Sequence, residues 1–555
     1  MRLKKYPLKK NILYSFFLIF ANSVFAQPVI TSFSPTSGPV GTVVTITGNN
    51  FNTTPANNIV FFGSVKAIVN TASATALTVT APAGTTYQPI TVTTGGLTGY
   101  SNVPFVVTFE SGNLFTENSF GLPIHIPISL YPYDIAIADL DDDGKSDITT
   151  TNYGYNTIAV LRNISIGDSI IFAPKLDFVT GNTPYSISTA DFNGDGKKDI
   201  VISNATSASI SIYINTSTPG NISFNSKVDF TVGNNPISIS ASDLDNDGKI
   251  DVIVANSGSN TISVLRNTTT SGVLSFAPKI DYTVSNSPVC IITGDFDGDS
   301  KKDIAAVSSL SDREFYIIPN NSTSGTINLG TVQNFNHSFG LNNTYIYLQT
   351  ADFNNDGKLD INLLGGPNTL LTDVFINQSS PGNYNFSYSP INGGTISSYG
   401  ISITNGDLNG DGKVDVSAMV DEVADTYGAY QNVSANNSIE FINNYYNPFG
   451  EDNSFFKKIA IGDLNGDGKP ESVRASPVKN LITIVKNKFF PGPHIISFSP
   501  TTATTGDTIT IIGTNFNNVD NVSFGQINAT FIDTISSTTI KAVVGPGDSG
   551  NVVVS

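Results

Sequence analysis

Seven stretches of this chain place oxygen-bearing side chains at positions 1, 3, 5 and 9 of a nine-residue loop: DLDDDGKSD, DFNGDGKKD, DLDNDGKID, DFDGDSKKD, DFNNDGKLD, DLNGDGKVD and DLNGDGKPE. Position 1 is Asp139, Asp191, Asp243, Asp295, Asp352, Asp407 and Asp463, and these recur every 52 to 57 residues. Position 3 is Asp141, Asn193, Asp245, Asp297, Asn354, Asn409 and Asn465, and position 5 is Asp143, Asp195, Asp247, Asp299, Asp356, Asp411 and Asp467. Position 9 is Asp147, Asp199, Asp251, Asp303, Asp360, Asp415 and Glu471. The main-chain carbonyls of Lys145, Lys197, Lys249, Lys301, Lys358, Lys413 and Lys469 stand at position 7.

That pattern is the chemistry of calcium. A hard cation takes about six to eight oxygens, and alternate side chains of a tight loop converge on one point when a glycine allows the sharp turn. Position 6 is glycine in every copy except the fourth, which has Ser300. An ordinary β-turn uses one or two Asp or Gly residues and has no need of four oxygen ligands repeated seven times. The closing acid at position 9 rather than 12, and flanks that alternate like strands, exclude an EF-hand. Up to seven Ca2+ ions are expected, in a structural role. The Asp295 loop is expected to be weaker, because a non-glycine residue in a left-handed turn costs about 1 to 2 kcal/mol. The Asp463 loop, closed by Glu471 after Pro470, departs from the pattern too.

The elements that must carry these loops are short strands. After each loop come apolar phrases such as DIVISN or DVIVAN, then SISIYIN or TISVLRN, then FNSKVDFTVGN or FAPKIDYTVSN, and a further strand leads into the next loop. Four strands in about 50 residues, seven times over, predict a β-propeller with one sheet per blade. The rival is an open β-solenoid. The chain ends favour the ring: LITIVKN after the seventh loop has no fourth strand behind it, and LFTENSFGLPIHIPISL before the first loop supplies one. The segment Phe120 to Ile128 is therefore expected to pair with Leu481 to Val485.

The phrase GNTPYSISTADFNGDGKKDIVIS resembles the FG-GAP or VCBS repeat, the blade unit of integrin α-subunit propellers and of many bacterial secreted proteins. The likeness covers residues 111–490, although the Phe-Gly and Gly-Ala-Pro words of the family are poorly kept. It implies calcium in the loops between the first and second strands of each blade, on the face opposite the usual ligand surface. At the flanks, VITSFSPTSGPVGTVVTITGNNF at residues 29–51 recurs as IISFSPTTATTGDTITIIGTNF at 495–516. Alternating strands broken by Pro and Gly suggest small β-sandwiches, and these resemble IPT/TIG domains, immunoglobulin-like modules of receptors and bacterial surface proteins. The expected organisation is a signal peptide at 1–26, a first module at 27–110, the seven-bladed propeller at 111–490 and a second module at 491–555. The second lacks a counterpart of GGLTGYSNVPFVVTF, so the sequence is expected to be part of a longer protein.

Composition bounds the function. The basic stretch Arg2 to Lys10 followed by an apolar run from Ile12 to Ala21 and by VFA predicts export, and that run is about half of what a membrane-spanning helix needs. Cys290 is the sole cysteine, so no intrachain disulfide can staple the fold and metal ions are the expected substitute. The formal charge is −17, which argues against nucleic acid as a partner. The three histidines, His125, His337 and His494, stand apart, and no GxSxG, HExxH or phosphate loop occurs. The expected function is thus an extracellular or cell-surface module binding a protein or glycan. The alternative is a polysaccharide lyase or hydrolase on the same scaffold. The face away from the Asp loops offers Tyr131, Tyr133, Tyr153, Tyr155, Tyr185, Asp312, Arg313, Glu314 and Tyr427 as candidate contacts. Both flanking modules lack the loop motif and are expected to be indifferent to calcium.

Overall fold

The structure is a computed structural model that describes residues 26–109, 115, 119–270, 272–284, 286–309, 314–336, 345–365, 372–390, 399–421, 427–434, 439–446, 457–489, 493–516, 519–525, 527–547 and 550–554. Residues 1–25 of the expected leader, as well as Asp312, Arg313 and His337, lie outside the described residues, as do the side chains of Glu314, Tyr427 and His494.

Seven four-stranded antiparallel sheets make up the centre. In the first blade, strand A runs Pro132–Ala138, B Asp147–Asn152, C Thr157–Leu161 and D Leu176–Val179, paired in that order. The A strands of the following blades are Pro184–Ala190, Pro236–Ser242, Pro288–Gly294, Tyr345–Ala351, Tyr399–Gly406 and Lys458–Gly462. Each packs on the next, and the last packs on the first. Blade 7 takes its D strand from the other end of the propeller sequence. Phe120–Pro127 pairs with Leu481–Asn487, Ile124 opposite Ile484 and Ile126 opposite Ile482. The ring is closed and the solenoid excluded.

Burial follows position in the blade. The B strands are buried at every residue whose burial is described, as in Asp199–Asn204 and Asp251–Asn256, because each lies between two neighbouring blades. Hence DIVISN and DVIVAN carry apolar side chains on both faces instead of alternating. Val201, Ile210 and Ile212 of blade 2 meet Val252 and Val254 of blade 3 in one such layer. In blades 1 to 3 the D strands are largely exposed edges, each guarded by a Lys and Asp pair: Lys175 with Asp177, Lys227 with Asp229 and Lys279 with Asp281. Charges on an edge oppose pairing with another chain.

The flanking modules are β-sandwiches. The first has a sheet ordered Val29–Ser34, Val43–Asn49, Ala76–Thr80, Val65–Ala72, Ile59–Phe62, Pro89–Thr94 and Leu97–Pro104. Strict alternation along Val43–Asn49 turns Val44 and Ile46 onto Phe62, Leu77 and Phe105. The second repeats the pattern with His494–Ser499, Thr508–Thr514, Thr539–Val543 and Phe531–Ser536 in one sheet and Ile527–Asn528, Val522–Phe524 and Val552–Val554 in the other.

Candidate metal centres

Every Asp loop joins strand A to strand B of its blade, so all seven lie on one face of the ring. Each is held by bonds from its own backbone. In the first loop Asp139 accepts the N–H groups of Asp143 and Gly144 (3.1 and 2.9 Å), Asp143 accepts that of Lys145 (3.0 Å) and Asp147 accepts that of Leu140 (2.9 Å). Donors on the inside of a tight turn thus aim the carboxylates at a shared point. Oxygens of Asp139, Asp141 and Asp147 lie within 4.8 Å of one another, and so do those of Asp243, Asp245 and Asp251 and those of Asp295, Asp297 and Asp299.

The electrostatics call for a cation. Burial pushes the Asp139 and Asp243 carboxyls up to about 7 and Asp191 and Asp352 to about 6, against the hydrogen bonds they accept. Burial holds Asp147, Asp251 and Glu471 well above the carboxylate range. Loops without metal would hold protons that a cation must displace. Arg162 lies 4.0 Å from Asp141, and Arg266 3.9 Å from Asp245 and from Asp247. One guanidinium cannot neutralise three carboxylates. Two buried acceptors, Oδ1 of Asp141 and Oε1 of Glu471, have no hydrogen-bond partner, which leaves them for an ion. Buried oxygen donors in this number fit a hard divalent cation.

The irregular fourth loop keeps its shape at a strain. Ser300 adopts φ +70°, where the other loops have glycine at +83° to +85°, and its N–H still reaches Asp295 at 3.0 Å. Ser300→Gly is therefore expected to stabilise the protein by about 1 kcal/mol, seen as a raised urea midpoint at unchanged slope.

Two features escaped the sequence reading. The first is an asparagine at the end of strand C in each blade: Asn163, Asn215, Asn267, Asn320, Asn377, Asn432 and Asn487. In the first six its N–H donates to the closing Asp of its own loop at 2.7 to 2.9 Å. Its Nδ2 crosses to the position 2 carbonyl of the preceding blade's loop, as from Asn215 to Leu140 (2.8 Å) and from Asn487 to Leu408 (2.9 Å). The recurrence of Asn after LR, YI, IP, FI, YQ and VK was the available signal. It reads as a strand end until the neighbouring blade is in place.

The second feature is the seat of the first module, which lies across the loop face. Gln27 Nε2 donates to Asp243 Oδ2 (2.7 Å), the Gly84 N–H to Asp463 Oδ2 (3.1 Å) and the Thr98 N–H to the Gly248 carbonyl (2.8 Å). Tyr87 accepts the Asp352 N–H through its hydroxyl (3.4 Å), and the Lys198 ammonium sits 4.4 Å above the Phe61 ring. The module also stops that end of the central channel, a cavity of about 430 Å3 whose walls include Lys198, Lys302 and hydroxyls of the A strands. Near the opposite end, Lys458 lies 3.5 Å from Asp134 and over the Tyr347 ring at 5.4 Å, and Tyr347 donates to the Lys457 carbonyl (3.5 Å). Beside them Tyr133 and Tyr185 share a hydroxyl hydrogen bond of 2.6 Å, and Tyr153 stacks on Tyr133 at 5.7 Å. Three of the candidate contact residues are thus gathered, with Tyr131 and Tyr155 exposed on the same blade. Cys290 is partly buried in its A strand, where burial raises its thiol, and His125 is tied to Thr483 (3.0 Å) in blade 7.

Residues 139–202, 191–254, 243–306 and 352–418 match the FG-GAP-like repeat, and residues 28–107 and 493–555 match the IPT/TIG domain. No curated protein matches the chain. Among solved structures, an auxiliary nutrient binding protein from Bacteroides thetaiotaomicron VPI-5482 is similar at 11% identity and TM-score 0.33, over 83% of this chain and 97% of that one. Its counterpart from Bacteroides ovatus ATCC 8483 has 13% identity and TM-score 0.34, over 83% and 98%. A protein from Lactobacillus plantarum has 12% identity and TM-score 0.40, over 71% and 98%. Likeness at these scores says nothing of ligand or activity.

Proposed function

We propose that this chain, which carries FG-GAP-like repeats between two IPT/TIG domains, is an exported propeller stapled by calcium that binds a protein or glycan on the face away from its Asp loops. One observation carries the choice of face. The first module covers the loop side, through Gln27, Gly84 and Thr98, and leaves the tyrosine cluster of blades 1 and 2 on the other. Rigid aromatic rings beside the charged pair Lys458 and Asp134 suit a sugar ring or a protein side chain, since each tyrosine offers an apolar body with a polar tip.

In the loops, calcium would be held by the side chains at positions 1, 3, 5 and 9 and the carbonyl at position 7. Such an ion supplies fixed positive charge and nothing else here. The loops themselves aim the carboxylates and bury the closing acid, while the position 5 acid stays exposed in loops 2 and 4 to 7. Export rests on the leader, and among the described residues no helix is long and apolar enough to cross a membrane.

Elemental analysis of protein purified in calcium buffer is expected to find several ions per chain, and fewer than about three would sink the calcium reading. A glycan and protein array is expected to give a ligand whose signal falls for Tyr153→Ala and Tyr155→Ala. New reducing ends or unsaturated product from a polysaccharide panel would instead favour the enzyme.

A further inference from the structure

We infer that cation binding in the loops and docking of the first module on the propeller form one linked equilibrium, in which the module supports the loop carboxylates and chelation releases it. The inference rests on the calcium reading above.

The module touches the very groups that a cation would organise. In the third loop Asp243 Oδ2 accepts both the Gly248 N–H of its own loop (2.8 Å) and Nε2 of Gln27 (2.7 Å). In the seventh, Asp463 Oδ2 accepts both the Gly468 N–H (3.0 Å) and the Gly84 N–H (3.1 Å). These donors hold position 1 carboxylates from outside, as a second layer around a metal does, and losing one such support typically costs 10 to 100-fold in metal affinity.

The fit also demands the closed form of the loops. A Cβ added at Gly196 would lie 2.3 Å from Cδ1 of Ile59, one at Gly248 2.7 Å from Cβ of Leu97, and one at Gly410 2.3 Å from the Phe109 carbonyl oxygen. At Gly298 and Gly357, in loops 4 and 5, it would meet nothing within 4 Å. The module is therefore seated closely on loops 2, 3 and 6 and stands clear of these two glycines. Backbone packed this tightly cannot follow a loop that opens. With no cation, nothing bridges the oxygens of Asp243, Asp245 and Asp251, which lie within 4.8 Å of one another, and the loop loses the central group that would hold it closed. The coupling is reciprocal: whatever factor calcium adds to docking, docking adds to calcium affinity.

Hydrogen exchange on the full chain reads docking directly. It is run with saturating calcium and with EDTA, at a temperature where the amides of Val252–Val254 stay protected in both. In EDTA the Gly84 and Thr98 amides, which donate to the propeller, are expected to exchange at least tenfold faster, while Ile46 and Val79 inside the module keep their protection. Gln27→Ala is expected to raise the calcium concentration for half-protection of Thr98 about tenfold. Asn70→Ala, an exposed residue of the same module whose amide bonds to Thr80 within the module, is expected to leave it unchanged. Calcium bound with Gly84 and Thr98 exchange unaffected by EDTA overturns the linkage alone. No bound calcium by elemental analysis overturns the calcium reading, and the linkage with it.

Discussion

In EDTA the propeller is expected to melt about 10 °C or more below its temperature in excess calcium. A cation bound only by the folded state stabilises it by RT ln(1 + [L]/Kd), about 2.7 kcal/mol per site at a hundredfold excess over Kd. The seven contributions do not simply add, because the ring is closed by a strand from each end of its sequence and its blades share buried layers. Two or three sites alone supply about 5 to 8 kcal/mol, comparable to the stability of a whole domain, and a domain of this size shifts by roughly 2 °C per kcal/mol. No intrachain disulfide is available to compensate. Differential scanning calorimetry checks this, and coincident propeller transitions in EDTA and calcium would exclude a stapling role. Asp195→Ala, in a regular loop, is expected to cost more of the calcium stabilisation than Asp299→Ala, whose loop already bears the strain of Ser300. The second module is expected to be indifferent. The first is expected to respond through its seat: the sequence treats the two alike, but among the described residues it is the first that is bonded to Asp243 and Asp463.

The other large effect is expected at the asparagines between blades. Asn267 Nδ2 donates to the carbonyls of Phe192 and Ile250, both at 2.9 Å, while its Oδ1 accepts the Thr269 N–H at 2.8 Å. The residue is fully buried. Asn267→Ala removes the side chain and leaves two buried carbonyls unpaired, at about 1 to 3 kcal/mol each. Asn267→Asp keeps the shape but sets an acceptor against both carbonyls and adds a charge beside Asp251, which already accepts the Asn267 N–H at 2.7 Å. The aspartate variant loses the same two bonds and adds an uncompensated buried charge, itself worth about 3 to 5 kcal/mol, and is therefore expected to be the less stable of the two. Urea unfolding in saturating calcium decides. An aspartate variant as stable as the alanine one would mean that the amide is not the donor between blades.

Much of this protein was legible in its sequence, and for a physical reason. An Asp loop is local: the candidate ligands, the glycine that permits the turn and the backbone donors all fall within nine residues, so spacing alone picks the loop out. The blade is nearly local, since its four strands follow one another, and the seven-fold count came with it. Even the closing strand, Phe120–Pro127, could be found as a remainder, because blade 7 lacked one strand and the segment before the first loop had no blade of its own. The two modules were readable from the repeated phrase at either end of the chain.

What tertiary structure decided lies where residues far apart in sequence meet. Nothing in Gln27 or Gly84 points to Asp243 or Asp463, which are 216 and 379 residues away, and a glycine required for a turn looks the same whether or not Ile59 packs against it. The asparagine after each third strand repeats as regularly as the aspartates, yet its partner is a carbonyl on another blade, and a carbonyl belongs to every residue and leaves no mark in a sequence. Side-chain chemistry is written in the residue types, so the Asp loops could be read in advance as candidate cation sites. Docking and blade-to-blade pairing depend largely on main-chain groups and close approach, which only the folded chain brings together.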